Sequence, residues 1–384
     1  MDDYGAQVRK ALADRGLSIR GAARELHYDP AFLSRVLNGR QAPSEELTHG
    51  LNELLGLALP VPAVPHDDEM DAWELQRRVQ ASDVGSATLD RLEAAFDDLA
   101  MAYPRYSPDV LLQRVRKHSA YVVQLLDAKK TLSEHRRLLV VGGWLSLLGA
   151  TLHIDMNQGG AATARLHTAE ALAHDAECPE VKAWCLETAA WRVLTEGNYV
   201  HAAELSRAAQ EAAPSGSSAL IQATAQEGRA QARLGNKSET YNAIQRVQNL
   251  SEAMGAPDTP EHHYRYDPGK AVSYTATTLA WLGDSAAEGH AREVIARLSP
   301  GDDVSRWPRR VASANIDLAL TLLSVNRHDE ACESAKNAIL SGKVVPSNHW
   351  RALEVVRAVE SRGLPESASL REAYQEMRAD RAIT

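Results

Sequence analysis

Apolar positions in the first 56 residues fall into four short stretches, each with helical spacing. Tyr4, Val8, Ala11 and Leu12 form the first stripe, which Gly16 ends. Ser18 then caps a second helix that buries Ala22, Ala23 and Leu26. Asp29 followed by Pro30 has the cap-then-first-turn chemistry that opens a third, with Leu33, Val36 and Leu37 facing inward and Asn38-Gly39 supplying a left-handed end. Ser44 caps a fourth carrying Leu47, Leu51, Leu54 and Leu55. Beyond this block the pattern stays helical to the end, broken by Gly-Asn and Gly-Asp turns at Gly197, Gly235 and Gly283, and no alternating strand pattern occurs. Gly159, Gly197 and Gly235 recur every 38 residues between stretches long enough for a helix. An all-α chain is predicted, with a small helical head followed by a solenoid of stacked hairpins, each of which needs a neighbour to cover its apolar face.

Pro60, Pro62 and Pro65, followed by Asp67, Asp68 and Glu69, mark residues 57–69 as a linker between a head at 1–56 and an array at 70–384. The net charge of −9 argues against a chain that coats nucleic acid along its length. Any such contact must be local, and residues 9–40 hold seven basic side chains against three acidic ones. The three cysteines, Cys178, Cys185 and Cys332, have no paired spacing, which suits a reducing cytoplasm. An acidic start and the lack of about 18 uninterrupted apolar residues predict neither export nor a membrane partner.

Two short helices across a tight turn make residues 18–39 a candidate DNA-reading unit. Helical angles turn Ala31, Arg35 and Asn38 away from the Leu33, Val36, Leu37 face, with Phe32 and Ser34 on the flanks. Arg35 is the side chain best suited to grip a guanine edge with two hydrogen bonds. The run from Ser18 to Gly39, with its central small Ala23, Ser34, Asn38-Gly39 and the following Pro43-Ser44, resembles the Xre and lambda-repressor-like helix-turn-helix family over about 50 residues. Its His27-Tyr28-Asp29-Pro30 start and Leu33-Ser34-Arg35-Val36-Leu37 run are similar to actinobacterial members. The resemblance implies that the helix opened by Asp29 enters the major groove, with Pro30, Ala31, Phe32 and Arg35 at bases and Asn38 at phosphate. Ser18, Arg20, Ser34 and Arg40 complete the expected DNA-binding set. Ile19 stands where many members place Gln, and Pro30-Ala31 replaces polar readers, so thymine methyl contacts and DNA shape carry more of the readout.

Residues Leu194 to Ala209, closed by Pro214, resemble the second half of a tetratricopeptide repeat, with small Ala202 and Ala209 at packing positions. In that family the first helix of each hairpin lines a groove. Carried over hairpin by hairpin, the groove positions are Ser146, His153 and Asn157, then Trp184, Glu187 and Trp191, then Gln222, Arg229 and Arg233, then Lys270, Ser273 and Trp281. Spacing alone places Gln222, Gln226, Arg229 and Arg233 on one polar stripe. Amides and guanidinium groups beside indoles suit a peptide backbone, a carboxylate or a flat metabolite, and the charges of Arg229 and Arg233 are not required for packing. A solvated helix face beside core tryptophans is the plainer alternative. His262-His263-Tyr264-Arg265-Tyr266, between Pro260 and Pro268, reads as an ordered loop, since adjacent histidines without a further ligand do not make a metal site. His167 and His174 share a helix face and read as surface or packing residues.

No phosphate-binding glycine loop, zinc-protease, nucleophile-elbow or activated-cysteine pattern is present, so neither an enzyme nor a cofactor is expected. Together the two resemblances imply a regulator that binds double-stranded DNA at an inverted repeat as a homodimer, joined through hairpins after residue 300, and senses a small ligand or peptide in its groove. The rival expectation is a scaffold whose array binds a protein partner while the head only docks it to DNA.

Overall fold

The computed structural model describes residues 4–41, 43–58, 68–255, 257–299 and 307–379. Among them the chain is all-α, with nineteen α-helices, one short 3-10 turn at Pro346–Asn348 and no strand. Contacts divide it into two compact units, residues 1–80 and residues 81–384.

The first unit comprises α1 (Tyr4–Asp14), α2 (Ile19–Glu25), α3 (Pro30–Leu37), α4 (Glu45–Leu55) and α5 (Asp68–Gln80). Local chemistry sets each start: Ser18 Oγ accepts from the Gly21 amide at 3.1 Å, Asp29 Oδ1 from Phe32 at 2.8 Å, and Ser44 Oγ from Leu47 at 3.1 Å. His27, with φ of 59°, turns the chain between α2 and α3. Val8, Leu12, Ala22, Ala23, Leu33, Val36, Leu37, Leu47, Leu51 and Leu55 form its core. Gly5 serves a close crossing of α1 over the end of α3, where a Cβ would lie only 2.0 Å from the Leu37 carbonyl oxygen. Of the expected linker, Pro60, Pro62, Pro65 and Asp67 lie outside the described residues, whereas Asp68 and Glu69 open α5 and are helical.

The second unit runs through α6 (Ser86–Ala102), α7 (Pro108–Asp127), α8 (Leu132–Asp155), α9 (Gly159–Asp175), α10 (Pro179–Thr195), α11 (Tyr199–Ala212), α12 (Ser218–Arg233), α13 (Lys237–Met254), α14 (Pro268–Leu282), α15 (Ala287–Leu298), α16 (Pro308–Ser324), α17 (His328–Leu340), α18 (His349–Glu360) and α19 (Ser367–Ala379). Successive helices pack as hairpins, and α8, α10, α12, α14, α16 and α18 also pack side by side into an inner layer. Small residues allow that doubling, since Ala219, Ala223 and Ala230 on α12 are fully buried. Helix α8 is long and apolar enough, by length and composition, to cross a membrane, and here most of its apolar stretch lies inside the fold.

The even 38-residue glycine period does not mark one repeated structural position. Gly159 is the first residue of α9, and the left-handed residue of its turn is Asn157. The equivalent turns fall at Gly197, Gly235, Gly283 and Asn326, unevenly spaced because a loop is inserted between α13 and α14.

Candidate nucleic-acid interface and ligand cavity

In the head, packing Leu33, Val36 and Leu37 inward leaves Pro30, Ala31, Arg35 and Asn38 exposed on α3, with Phe32 and Ser34 half-buried beside them. Phe32 stacks on Tyr28 with ring centroids 5.8 Å apart, which fixes the flank of this face. Arg35 Nε donates to Gln41 Oε1 at 3.2 Å, so the guanidinium is pre-oriented rather than free. Asn38 accepts from Arg9 Nη1 at 3.1 Å, and its amide donates to Ser34 Oγ at 3.4 Å. Ser18 is spent as the α2 cap, while Arg20 and Arg40 are exposed. The result is a short, polar-edged helix presented with its first turn open and basic side chains to either side.

In the second unit the inner helices surround a cavity of about 210 Å³. Trp184, Glu187 and Trp191 of α10, Gln222 and Arg229 of α12, and Lys270, Ser273 and Trp281 of α14 all line it. Five sequence candidates do not. His153 is buried with its ring nitrogen 2.6 Å from Gln158 Oε1, Asn157 is an exposed turn residue, and Gln226 is buried as the acceptor for Arg229. Arg233 is a structural clasp, held by Glu354 of α18 through two bonds of 2.9 and 2.7 Å. Its guanidinium lies 4.4 Å from the Trp281 ring centre and 4.9 Å from that of Trp350. The expectation that this charge is dispensable for packing is therefore corrected for Arg233. Ser146 is buried in α8, also outside the wall.

The array curls back on itself around the cavity. Asp155 of α8 accepts from Arg309 of α16 at 2.8 Å and from Tyr103 at 2.9 Å. Asp317 of α16 takes Arg351 of α18 and the Thr277 hydroxyl, the latter at 2.6 Å. Glu187 accepts from Gln222 at 2.9 Å, and burial pushes its carboxyl above the usual range. Burial likewise raises the Cys185 thiol to about 12, which leaves it unreactive.

The segment His262–Tyr266 is ordered, but it does more than connect α13 to α14. Tyr264 inserts between Phe96, Trp144 and Trp184, with centroid separations of 6.0, 5.1 and 5.1 Å. The His263 amide donates to the Ala100 carbonyl at 3.1 Å, and the Tyr266 amide to Ser218 Oγ at 2.9 Å. Lys270 Nζ donates to the carbonyls of His262 at 3.1 Å, His263 at 2.8 Å and Arg265. Lys270 thus locks the loop from one wall of the cavity. Burial, aided by Arg310, pushes its ammonium down to about 7, while Asp267 and Glu187 pull the other way. His262, bonded to Asp97 at 3.2 Å, is pushed down by burial to about 4, and His263 is lowered for the same reason.

Residues 3–62 match the family model described as a helix-turn-helix domain. The head is a helix-turn-helix domain. No curated protein matches the chain significantly. Among solved structures, the crystal structure of Bacillus thuringiensis PlcR in complex with the peptide PapR7 and DNA is similar at 14% identity, covering 66% of this chain and 96% of that one with a TM-score of 0.29.

Within the helix-turn-helix domain, Gln41 was missed as the partner that aims Arg35. In the array, sequence reasoning stopped two hairpins short, since Arg309, Arg310 and Asp317 of α16 and Trp350 and Arg351 at α18 complete the wall. A signal was present: Trp307-Pro308-Arg309-Arg310 and Trp350-Arg351 repeat the neighbouring tryptophan and arginine of Trp191-Arg192. Nothing in local pattern shows the insertion of Tyr264, because its aromatic box comes from α6, α8 and α10.

Proposed function

We propose that this chain is a sequence-specific DNA-binding transcription regulator that reads duplex DNA with α3 and holds a small effector in the cavity of its array. The observation that carries the reading is the outward face of α3: a capped helix in a helix-turn-helix domain, with Arg35 exposed and bonded to Gln41. Bidentate contact of such an arginine to guanine supplies discrimination, and Arg20 and Arg40 supply phosphate attraction. One short helix reads too few base pairs for selectivity, so two chains act together on an inverted repeat. The array serves as both dimerisation and effector-binding unit, and occupancy of the cavity biases its curvature or self-association. The buried, aromatic and cationic character of the cavity supports this second role.

Selection of bound sequences from a random DNA pool by the full-length protein tests the reading. An enriched inverted repeat is expected. Recovery of no enriched sequence overturns it.

A further inference from the structure

Resting on the reading of the cavity as an effector site, we infer that its ligand is a small planar organic monoanion, a carboxylate borne on an aromatic or conjugated ring, with Arg229 as its counter-ion.

The first ground is space. The chain's own segment His262–Tyr266 packs beside the cavity and gives His263 to its wall. Tyr264 fills the aromatic box of Phe96, Trp144 and Trp184, the amides of His263 and Tyr266 are bonded to Ala100 and Ser218, and Lys270 caps three carbonyls. What remains is about 210 Å³. A dry cavity of about 150 Å³ holds one benzene molecule, and drug-sized ligands take about 300 Å³ or more. One ring with a short polar substituent fits.

The second ground is charge. Arg229 is 9% exposed, and among the described residues it forms no ion pair. Its Nη2 bonds the neutral Gln226, its Nε has no hydrogen-bond partner, and its guanidinium lies 4.4 Å from the centre of the Tyr274 ring. Among the carboxylates in the wall, Asp155 is engaged by Arg309 and Asp317 by Arg351, while Glu187, within electrostatic reach of Arg229 and Lys270, is bonded to Gln222 and pushed toward its neutral form by burial. A buried guanidinium without a carboxylate bonded to it is costly, and an anion offsets that cost. Arg309, Arg310 and Arg351 hold ion pairs and Lys270 is spent on three backbone carbonyls, so Arg229 is the guanidinium left for a ligand, and a monoanion matches it better than a phosphate dianion.

The third ground is the surface of the wall. Trp184, Trp191, Trp281 and Trp350 line the cavity together with Tyr103 and Tyr274, so a flat ring finds indole and phenol faces for stacking.

Calorimetric titration of the full-length protein with benzoate and indole-3-carboxylate, beside their primary amides and phenyl phosphate, tests the proposal. The carboxylates should bind about tenfold more tightly than the amides, the difference between a charge-assisted and a neutral hydrogen-bonded contact. Arg229→Gln should abolish that preference and Arg229→Lys should keep part of it, with thermal melts showing that both variants fold. Equal binding of the amides, tighter binding of phenyl phosphate, a preference that survives in Arg229→Gln, or no carboxylate binding up to about 10 mM each overturns the inference. Operator affinity measured in the same titrations separates the two readings. An amide that binds equally and shifts operator affinity refutes the anion and leaves the effector reading standing, whereas a carboxylate that binds through Arg229 without such a shift supports the anion and refutes the effector.

Discussion

Replacing Arg233 by Ala should destabilise the array, although a pattern-based reading treats this residue as a solvated or ligand-facing charge. The side chain joins α12 to α18 across 121 residues of sequence through its bidentate bond to Glu354. Glu354 is 38% exposed at its side chain, so solvent screens the pair and about 1 kcal/mol is the reasonable share. Stacking against Trp281 and Trp350 adds about 1 to 2 kcal/mol, because Arg233 is only 13% exposed there. A total loss of about 2 to 3 kcal/mol corresponds to a melting shift of about 3 to 5 °C for the unit of residues 81–384. Thermal unfolding followed by circular dichroism measures it, with Arg297→Ala, which breaks an exposed ion pair to Glu293, as a control expected to cost less than about 0.5 kcal/mol. A double-mutant cycle with Glu354→Gln should return a coupling near 1 kcal/mol. If Arg233→Ala melts within about 1 °C of the parent, the clasp contributes nothing and the argument from its geometry is wrong.

Acid should loosen the loop before alkali does. His262 and His263 are held neutral by burial, with folded pKa values below the unfolded value of about 6.5, so their contribution is complete above that value and lost as pH falls toward about 4. At about pH 5 His262 alone accounts for about 2 kcal/mol, and His262→Gln should lose less stability than the parent between about pH 7.5 and pH 5; equal losses refute this. Gly5→Ala should destabilise the helix-turn-helix domain by about 1 to 3 kcal/mol, against the gain of about 1 kcal/mol that helix propensity alone predicts, because the new methyl meets the Leu37 carbonyl. A stabilised variant in chemical denaturation would contradict the close crossing. Light scattering should find a dimer, at least on DNA, and a monomer under both conditions removes the inverted-repeat proposal.

The head was legible because its signals are local. Ser18, Asp29 and Ser44 cap helices three residues ahead, and the stripes that contain Val8, Leu33 and Leu47 need no distant partner to be read. Cavity residues were legible only where repeat position carries over, as for Trp184, Gln222 and Arg229. Arg229 and Arg233 look alike in sequence, one turn apart on one face, and differ because Arg233 is bonded to the Glu354 carboxylate and Arg229 to the neutral Gln226. That distinction, like the Tyr264 box, is made by chain segments far away in sequence, which periodicity cannot register. Even the glycine period misled locally, since Asn157 takes the left-handed turn two residues before Gly159.

The central claim is that α3 reads DNA, and gel-shift titration of Arg35→Ala on the selected inverted repeat tests it most directly. Arg35 is exposed on the outer face of α3 and aimed by Gln41, so its loss should weaken specific binding by about 1 to 3 kcal/mol and relax preference at one base pair of each half-site. Lys10→Ala, on the exposed side of α1, should matter less and act equally on all sequences. An Arg35→Ala variant that binds the operator with the affinity and sequence preference of the parent would contradict the account.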